Sequence, residues 1–238
     1  MDKFKPHLRY ILKSSLAYGL GLGLGSVING ILFATADLSR LNETIPAKFL
    51  IAGILLALFI RTFVIQAFKI PSGSMIPTLL VGDHILVSKF IYGIRIPILD
   101  SWIIGPWVPK RQDIVVFKYP HDESRDFIKR VIGLPGDVVE VRGEQAYVNG
   151  KPLDEAYLPQ PHPSLLGNPQ SPGEFYGPVT VPQEKLFVLG DNRDHSQDSR
   201  FWGFLDIHKV EGEAFIIYWS WDTQEGRPRW NRMGKLIN

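Results

Sequence analysis

Three short segments of this 238-residue chain carry side chains that could do chemistry. The first is FKIPSGSMIPTLL at 68–80, where Ser72 and Ser74 flank a glycine between Pro71 and Pro77. A serine beside glycine in a proline-bounded turn suits an exposed nucleophile, but its hydroxyl is weak until a base takes the proton. The segment is not the G-x-S-x-G elbow, because position 72 is Ser and position 76 is Ile. An ordinary Ser-Gly turn is the competing reading. The second is DFIKRVIGLPGD at 126–137. As a strand it places Phe127, Lys129 and Val131 on one face and Ile128, Arg130 and Ile132 on the other. One of the two cations must therefore run along buried surface. Only lysine can act as a base, because arginine stays charged, and a buried lysine gives up its charge readily. A lysine snorkelling from a strand edge is the alternative.

The third segment, LGDNRDHSQDSRFWGFL at 189–205, packs Asp191, Arg193, Asp194, Asp198 and Arg200 into a polar loop. A calcium loop beginning at Asp194 fails at its sixth position, Ser199, and at its twelfth, Leu205. A structural ion-pair loop is one reading. His195 beside Ser196 leaves a Ser–His–Asp triad open as another. The remaining histidines show no metal-ligand spacing, so no metal is expected.

These segments need a frame. Short runs bounded by turn residues predict strands at 84–91, 113–119, 126–132, 138–142, 185–189 and 213–219. A hairpin is expected where 146–149 meets Gly150-Lys151, with Asn149-Gly150 as a type I′ turn. No long helical period interrupts them, so the chain from 68 onward reads as a mainly β domain. Eight prolines between 152 and 182 predict an extended lobe or loop region there.

The N-terminal part differs. Residues 14–36 hold no charge, and a second apolar run, 49–60, is followed by Arg61. Helices at 14–36 and 46–65 would be long enough to span a bilayer, the second with Arg61 snorkelling. A cleaved leader ending near Ala34-Thr35-Ala36 is the competing reading of the first run. Gly19/Gly23, Gly21/Gly25 and Ser26/Gly30 fall at a spacing that lets membrane helices approach closely. The basic tail favours an inside N-terminus. Two spans would then leave the C-terminal part inside as well, so orientation stays open.

Composition removes several classes. Hydrophobic residues are 45% and charged residues 21%, which excludes a disordered chain. The net charge of +2 gives no basic stripe for nucleic acid. The absence of cysteine excludes disulfide scaffolds, thiolate metal sites and thiol nucleophiles.

PSGSM-x-PTL, GD-x-ILV at 82–87, KRVIGLPGD and GDNRD-x-S-x-DSR, in that order behind apolar segments, resemble bacterial type I signal peptidases. The resemblance covers 68–142 and 185–220. It implies a serine endopeptidase with a Ser–Lys dyad that removes signal peptides from exported preproteins after small-x-small sites such as Ala-x-Ala. Matched residue by residue, Ser74 is the nucleophile and Lys129 the general base. Ser72 joins the Ser74 backbone N–H in the oxyanion hole, and Ser196 orients the lysine. Gly190, Asp191, Asp198 and Arg200 form the framework, with Arg130 pairing one of the aspartates. Ile70, Met75 and Ile128 line shallow substrate pockets.

The implied organisation is a membrane region over 1–67, a catalytic domain of antiparallel sheet from 68–142 and 185–238, and a small inserted β/loop lobe at 143–184. The implied setting is the bacterial cytoplasmic membrane, with the catalytic domain on its outer side. Expected partners are signal peptides, the lipid bilayer and the export machinery, with no cofactor and a monomeric state. His195 departs from the asparagine common in this box. Other functions to exclude are a membrane-anchored binding module without chemistry and a self-cleaving Ser–Lys repressor; the second lacks a DNA-reading helix pair.

Overall fold

The structure, a computed structural model, describes residues 47–96, 101–158 and 175–237. The expected helix at 14–36 lies outside them. Two units, Met1–Leu58 and Phe59–Asn238, are distinguished. Helix α1 (Ala47–Phe59) is 13 residues long, a rise of about 20 Å. Phe49, Ile51, Leu55, Leu56 and Leu58 are all exposed on it. No helix among the described residues is long and apolar enough to cross a membrane. The helix expected over 46–65 ends early: a π-helical turn, Ile60–Val64, follows α1, and Ile65 is already extended. The cause is a β-branched and aromatic stretch, Thr62 to Ile65, whose continuation pairs with a neighbouring strand.

That strand pair opens the main sheet. Strands β1 (Ile65–Lys69), β2 (Asp83–Ser88), β5 (Ile114–Tyr119), β6 (Asp122–Gly133), β11 (Lys185–Leu189), β12 (Leu205–Asp206) and β13 (Val210–Asp222) run in the order β1-β2-β13-β5-β6-β11-β12. The pairings along this path are antiparallel, and β14 (Arg227–Pro228) adds to β13. A second sheet, β10-β7-β8-β9, joins β7 (Val138–Arg142), β8 (Gln145–Val148), β9 (Lys151–Pro152) and β10 (Phe175–Thr180). The hairpin turn is as expected, with Asn149 at φ 53 and Gly150 at φ 76. A separate hairpin pairs β3 (Ile94–Ile96) with β4 (Ser101–Ile104).

Prolines do not keep the 152–182 stretch out of the sheet. β10 takes Pro178 at its register break, between Tyr176 and Val179, and sits at the sheet edge. That is where a residue lacking an N–H is tolerated. Three apolar cores result among the described residues. The one beneath the serine segment joins Ile70, Met75, Leu79, Ile85, Val87 and Ile128. The second packs Val115, Phe117, Val131, Val188 and Leu205. The third fills the space between the sheets with Ile132, Val139, Val141 and Phe187.

Candidate active site

The segment between β1 and β2 is a closed loop. Its base is fixed by Ile70 N–H donating to Asp83 O at 2.8 Å and Gly82 N–H to Ile70 O at 3.0 Å. Inside it, Leu79 N–H donates to Met75 O at 2.9 Å, forming one helical turn. Met75 and Leu79, four residues apart, share the buried face of that turn and anchor it in the first core. Ser74 therefore rides on a turn held from below and is itself 9% exposed.

β6 supplies the second group. Its exposed first half gives way to a buried second half from Ile128 to Gly133. Lys129, 3% exposed, extends its Nζ to 2.7 Å from Ser74 Oγ. Nζ also donates to Ile128 O at 3.0 Å. Burial lowers the Lys129 pKa to about 8 against the opposing pull of Asp198 and Asp191. The ring of Phe127, 5.4 Å from Nζ, adds to the dry surroundings. A neutral amine with one N–H on Ile128 O keeps its lone pair for the Ser74 hydroxyl proton.

Those two aspartates are occupied elsewhere. Arg130 donates from Nε to Asp191 Oδ1 at 2.9 Å and from Nη2 to Oδ2 at 2.8 Å. Arg200 donates from Nε to Asp198 Oδ1 at 2.8 Å and from Nη2 to Oδ2 at 2.9 Å. Both are two-pronged fork contacts that hold a carboxylate in one orientation. Asp198 also accepts Gly190 N–H at 3.1 Å. Glycine is required at 190 for space: a Cβ there would lie 2.2 Å from Ser196 Oγ and 2.5 Å from Ser74 O.

The structure thus brings together Ser74, Lys129, Arg130, Gly190, Asp191, Ser196, Asp198 and Arg200. Ser196 is 6% exposed, and its Oγ makes no hydrogen bond among the described residues; the contact from Ser196 to the lysine is not formed. Ser72 is exposed beside the serine turn. Ile70, Met75 and Ile128 belong to one core beneath the turn, 2%, 0% and 9% exposed. His195 is exposed, and its Nδ1 meets Asn192 Oδ1 at 3.3 Å. Lys129, not His195, is the group at Ser74 Oγ. No group of three or more metal-ligating side chains occurs among the described residues.

Sequence reading missed several supports. Asn192 donates from its backbone N–H to Ser74 O at 3.1 Å and from Nδ2 to Gly73 O at 3.0 Å. Thr78 Oγ1 donates to Asp191 Oδ2 at 2.5 Å. Asp83 receives Arg232 and Ser220 behind the same loop. These are contacts between segments more than 100 positions apart, and no local pattern announces them.

The family model for signal peptidase, peptidase S26, matches residues 42–219. A signal peptidase I from Pseudomonas fluorescens is 37% identical over 213 residues, covering 76% of this chain and 75% of that one. A probable signal peptidase I-2 from Synechocystis sp. is 42% identical over 178 residues, covering 72% and 71%. The crystal structure of a signal peptidase I from Enterococcus faecalis V583 is 36% identical, covering 44% of this chain and 95% of that one, with a TM-score of 0.37.

Proposed function

From the premise that the chain belongs to the signal peptidase family, peptidase S26, and is a serine endopeptidase, we propose that it removes signal peptides from exported preproteins with Ser74 as nucleophile and Lys129 as general base. The observation that carries this reading is the buried amine of Lys129 2.7 Å from Ser74 Oγ. Its neighbouring carboxylates are already held by Arg130 and Arg200.

In the proposed mechanism neutral Lys129 accepts the Ser74 proton as Oγ attacks the scissile carbonyl. The tetrahedral oxyanion forms beside the Ser74 backbone N–H and the Ser72 hydroxyl. A donor so placed is worth roughly 10²–10³ in rate. The lysine, now charged, protonates the departing amine, and the signal peptide stays esterified to Ser74. Water then attacks the ester, with Lys129 again taking a proton, and the freed serine is restored. Burial serves the step twice: by lowering the Lys129 pKa to about 8 it supplies a usable neutral fraction near neutral pH, and it strengthens hydrogen bonds to the developing charge.

Substrate side chains would be small, as in Ala-x-Ala, because Ile70, Met75 and Ile128 fill the space under the turn. The setting proposed is the bacterial cytoplasmic membrane, with the β domain on its outer side. α1 supports a membrane setting, since beyond Lys48 it is apolar around its circumference and exposes Phe49, Ile51, Leu55 and Leu58; such a helix is matched to lipid or to protein, not to water. The enzyme is taken to act as a monomer receiving substrates from the export machinery.

The test uses the full chain in detergent with a preprotein whose signal ends in Ala-x-Ala, reading the cut site by mass. Wild type should cut after the second alanine. Ser74→Ala and Lys129→Ala should each lose on the order of 10⁴-fold or more of the rate while keeping the fold. Full activity in Lys129→Ala would discard the base, and none in wild type would turn attention to a binding role.

A further inference from the structure

Beyond the matched motifs, the segment after β9 reaches into the charged framework. Glu155 and Tyr157 belong to it. Glu155 is 5% exposed and Arg193 4%. Their side chains form a buried ion pair through Arg193 Nη2 and Glu155 Oε1. Arg193 also donates from Nε to Gly190 O at 3.2 Å. Tyr157 donates its hydroxyl to Glu155 Oε1 at 2.8 Å and accepts Arg193 Nη2 at 3.3 Å. The face of its ring lies 3.7 Å from the guanidinium carbon of Arg130, close enough for a cation–π contact. The carboxylate of Glu155 is in turn fixed to the second sheet, by Ala146 N–H at 2.9 Å and Gln145 Nε2 at 3.0 Å.

Two routes thus run from the second sheet to the site. One passes through Glu155 and Arg193 to Gly190, where an added Cβ would lie 2.5 Å from Ser74 O. The other passes through Tyr157 and Arg130 to Asp191 and Thr78, on the serine loop. The charges close on themselves: Arg130, Arg193 and Arg200 face Asp191, Glu155 and Asp198. The cluster is neutral when Lys129 is neutral. Glu155 is therefore one of the three negative charges that allow three buried arginines beside an uncharged lysine.

We infer that Glu155 and Tyr157 are positioning residues of the peptidase site, holding Arg193 and Arg130 and through them the backbone around Ser74. This rests on the Ser74–Lys129 reading. Both act on the site through Arg193 and Arg130, so their loss should lower kcat and leave KM nearly unchanged. Removing the Glu155 charge leaves the cluster one positive charge in excess. That disfavours a protonated lysine, so the rising limb of the rate–pH profile should move to lower pH.

The experiment takes the full chain in detergent, normalises each variant by active-site titration, and compares Glu155→Gln, Tyr157→Leu and Tyr157→Phe with wild type and Ser74→Ala. Glu155→Gln should lose on the order of 10-fold to 100-fold in kcat, the scale of a small displacement of reacting groups. Its KM should stay within about twofold and its pH midpoint should fall. Tyr157→Leu, which keeps every charge, should lose kcat with an unmoved midpoint, and Tyr157→Phe, which keeps the stacked ring, should lose less than Leu. If Glu155→Gln does not fold, the Tyr157 pair decides alone. Wild-type kcat in the titrated fraction of Tyr157→Leu, with only a lower melting temperature, overturns the inference, as does a Glu155→Gln variant with unchanged kcat and midpoint. Activity in Ser74→Ala would instead overturn the reading beneath it.

Discussion

Two buried polar clusters sit on either side of the loop that carries Ser74, and they are finished to different degrees. Behind the loop, Asp83 is fully buried and every contact is closed. It accepts Leu80 N–H at 2.8 Å, Ser220 Oγ at 2.6 Å and Arg232 Nη2 at 2.6 Å, while Arg232 also donates to Thr78 O at 2.8 Å. In front of the loop, Lys129 is nearly as deeply buried, but among the described residues its hydrogen bonds go to one hydroxyl and one carbonyl, and Ser196 Oγ has none. A satisfied cluster has nothing left to exchange and acts as a rivet. An unsatisfied one holds a group in its less comfortable protonation state, and that state can do chemistry.

The sharpest way to break this division is to open the rivet. Asp83→Leu would leave the Arg232 guanidinium buried without its anion, a change that costs about 3–5 kcal/mol. The melting temperature should fall by roughly 6–20 °C at about 2–4 °C per kcal/mol for a chain of this size. The fraction still folded should keep its rate within a few-fold. Arg232→Met added to Asp83→Leu should recover much of the loss, because the stranded charge is gone. Burial alone would raise the Asp83 pKa, but the hydrogen bonds from Arg232, Ser220 and Leu80 outweigh it and hold the carboxyl low. Its contribution is thus present above the ordinary carboxylate range and fades as pH falls through the lowered value. A loss above about tenfold in the folded fraction would join the two clusters into one.

The unsatisfied side should reveal itself through pH. With the Lys129 pKa lowered to about 8, the neutral fraction grows about tenfold per pH unit below that value. The single-turnover rate should therefore rise about 50-fold between pH 6 and 8 and level about twofold higher above pH 9. A flat profile across that range would mean that no buried amine titrates during the reaction.

How much of this was legible beforehand follows from where the information lies. β7 and β11 are legible to the residue because VVEVR alternates and KLFVL is a buried apolar run. The first half of β6 was not, since DESRD has no apolar pattern and is extended by pairing with β5. β1 was hidden inside an apolar run whose helical part stops at Phe59. Ser74 and Lys129 were readable because motif spacing survives in the linear chain. Asn192, Thr78, Glu155 and Tyr157 were not, because their partners are backbone groups and arginines supplied by distant segments.

A smaller effect tests the cost of leaving the front cluster unfinished. The Lys129 pKa is depressed in the folded state, so between about 8 and 10.5 the unfolded chain binds more protons than the folded one. Stability must rise with pH across that window, and the penalty is fully present below it. Lys129→Met keeps the length of the side chain and removes the titration. At neutral pH it should gain about 1–3 kcal/mol, read as a higher melting temperature, with the gain shrinking toward pH 10 and above. An activity-dead variant more stable than wild type is the signature of a strained functional group. No gain at neutral pH would mean that the amine is better accommodated than its burial implies.

The smallest effect concerns His195. It is exposed and bonds Asn192 Oδ1, while Asn192 grips the backbone at Gly73 and Ser74. It is thus one contact removed from the nucleophile and lies outside both buried clusters. His195→Asn should change kcat/KM by no more than about twofold, the scale of an exposed substitution. The form of the pH profile is the more telling readout. If the histidine were the base, removing it would abolish the rising limb. A lysine base leaves the limb near 8 in wild type and variant alike. If His195→Asn moved or erased the limb, the group finishing the front cluster would be a surface imidazole, and the contrast between a closed rivet and a strained buried amine would no longer explain the chemistry.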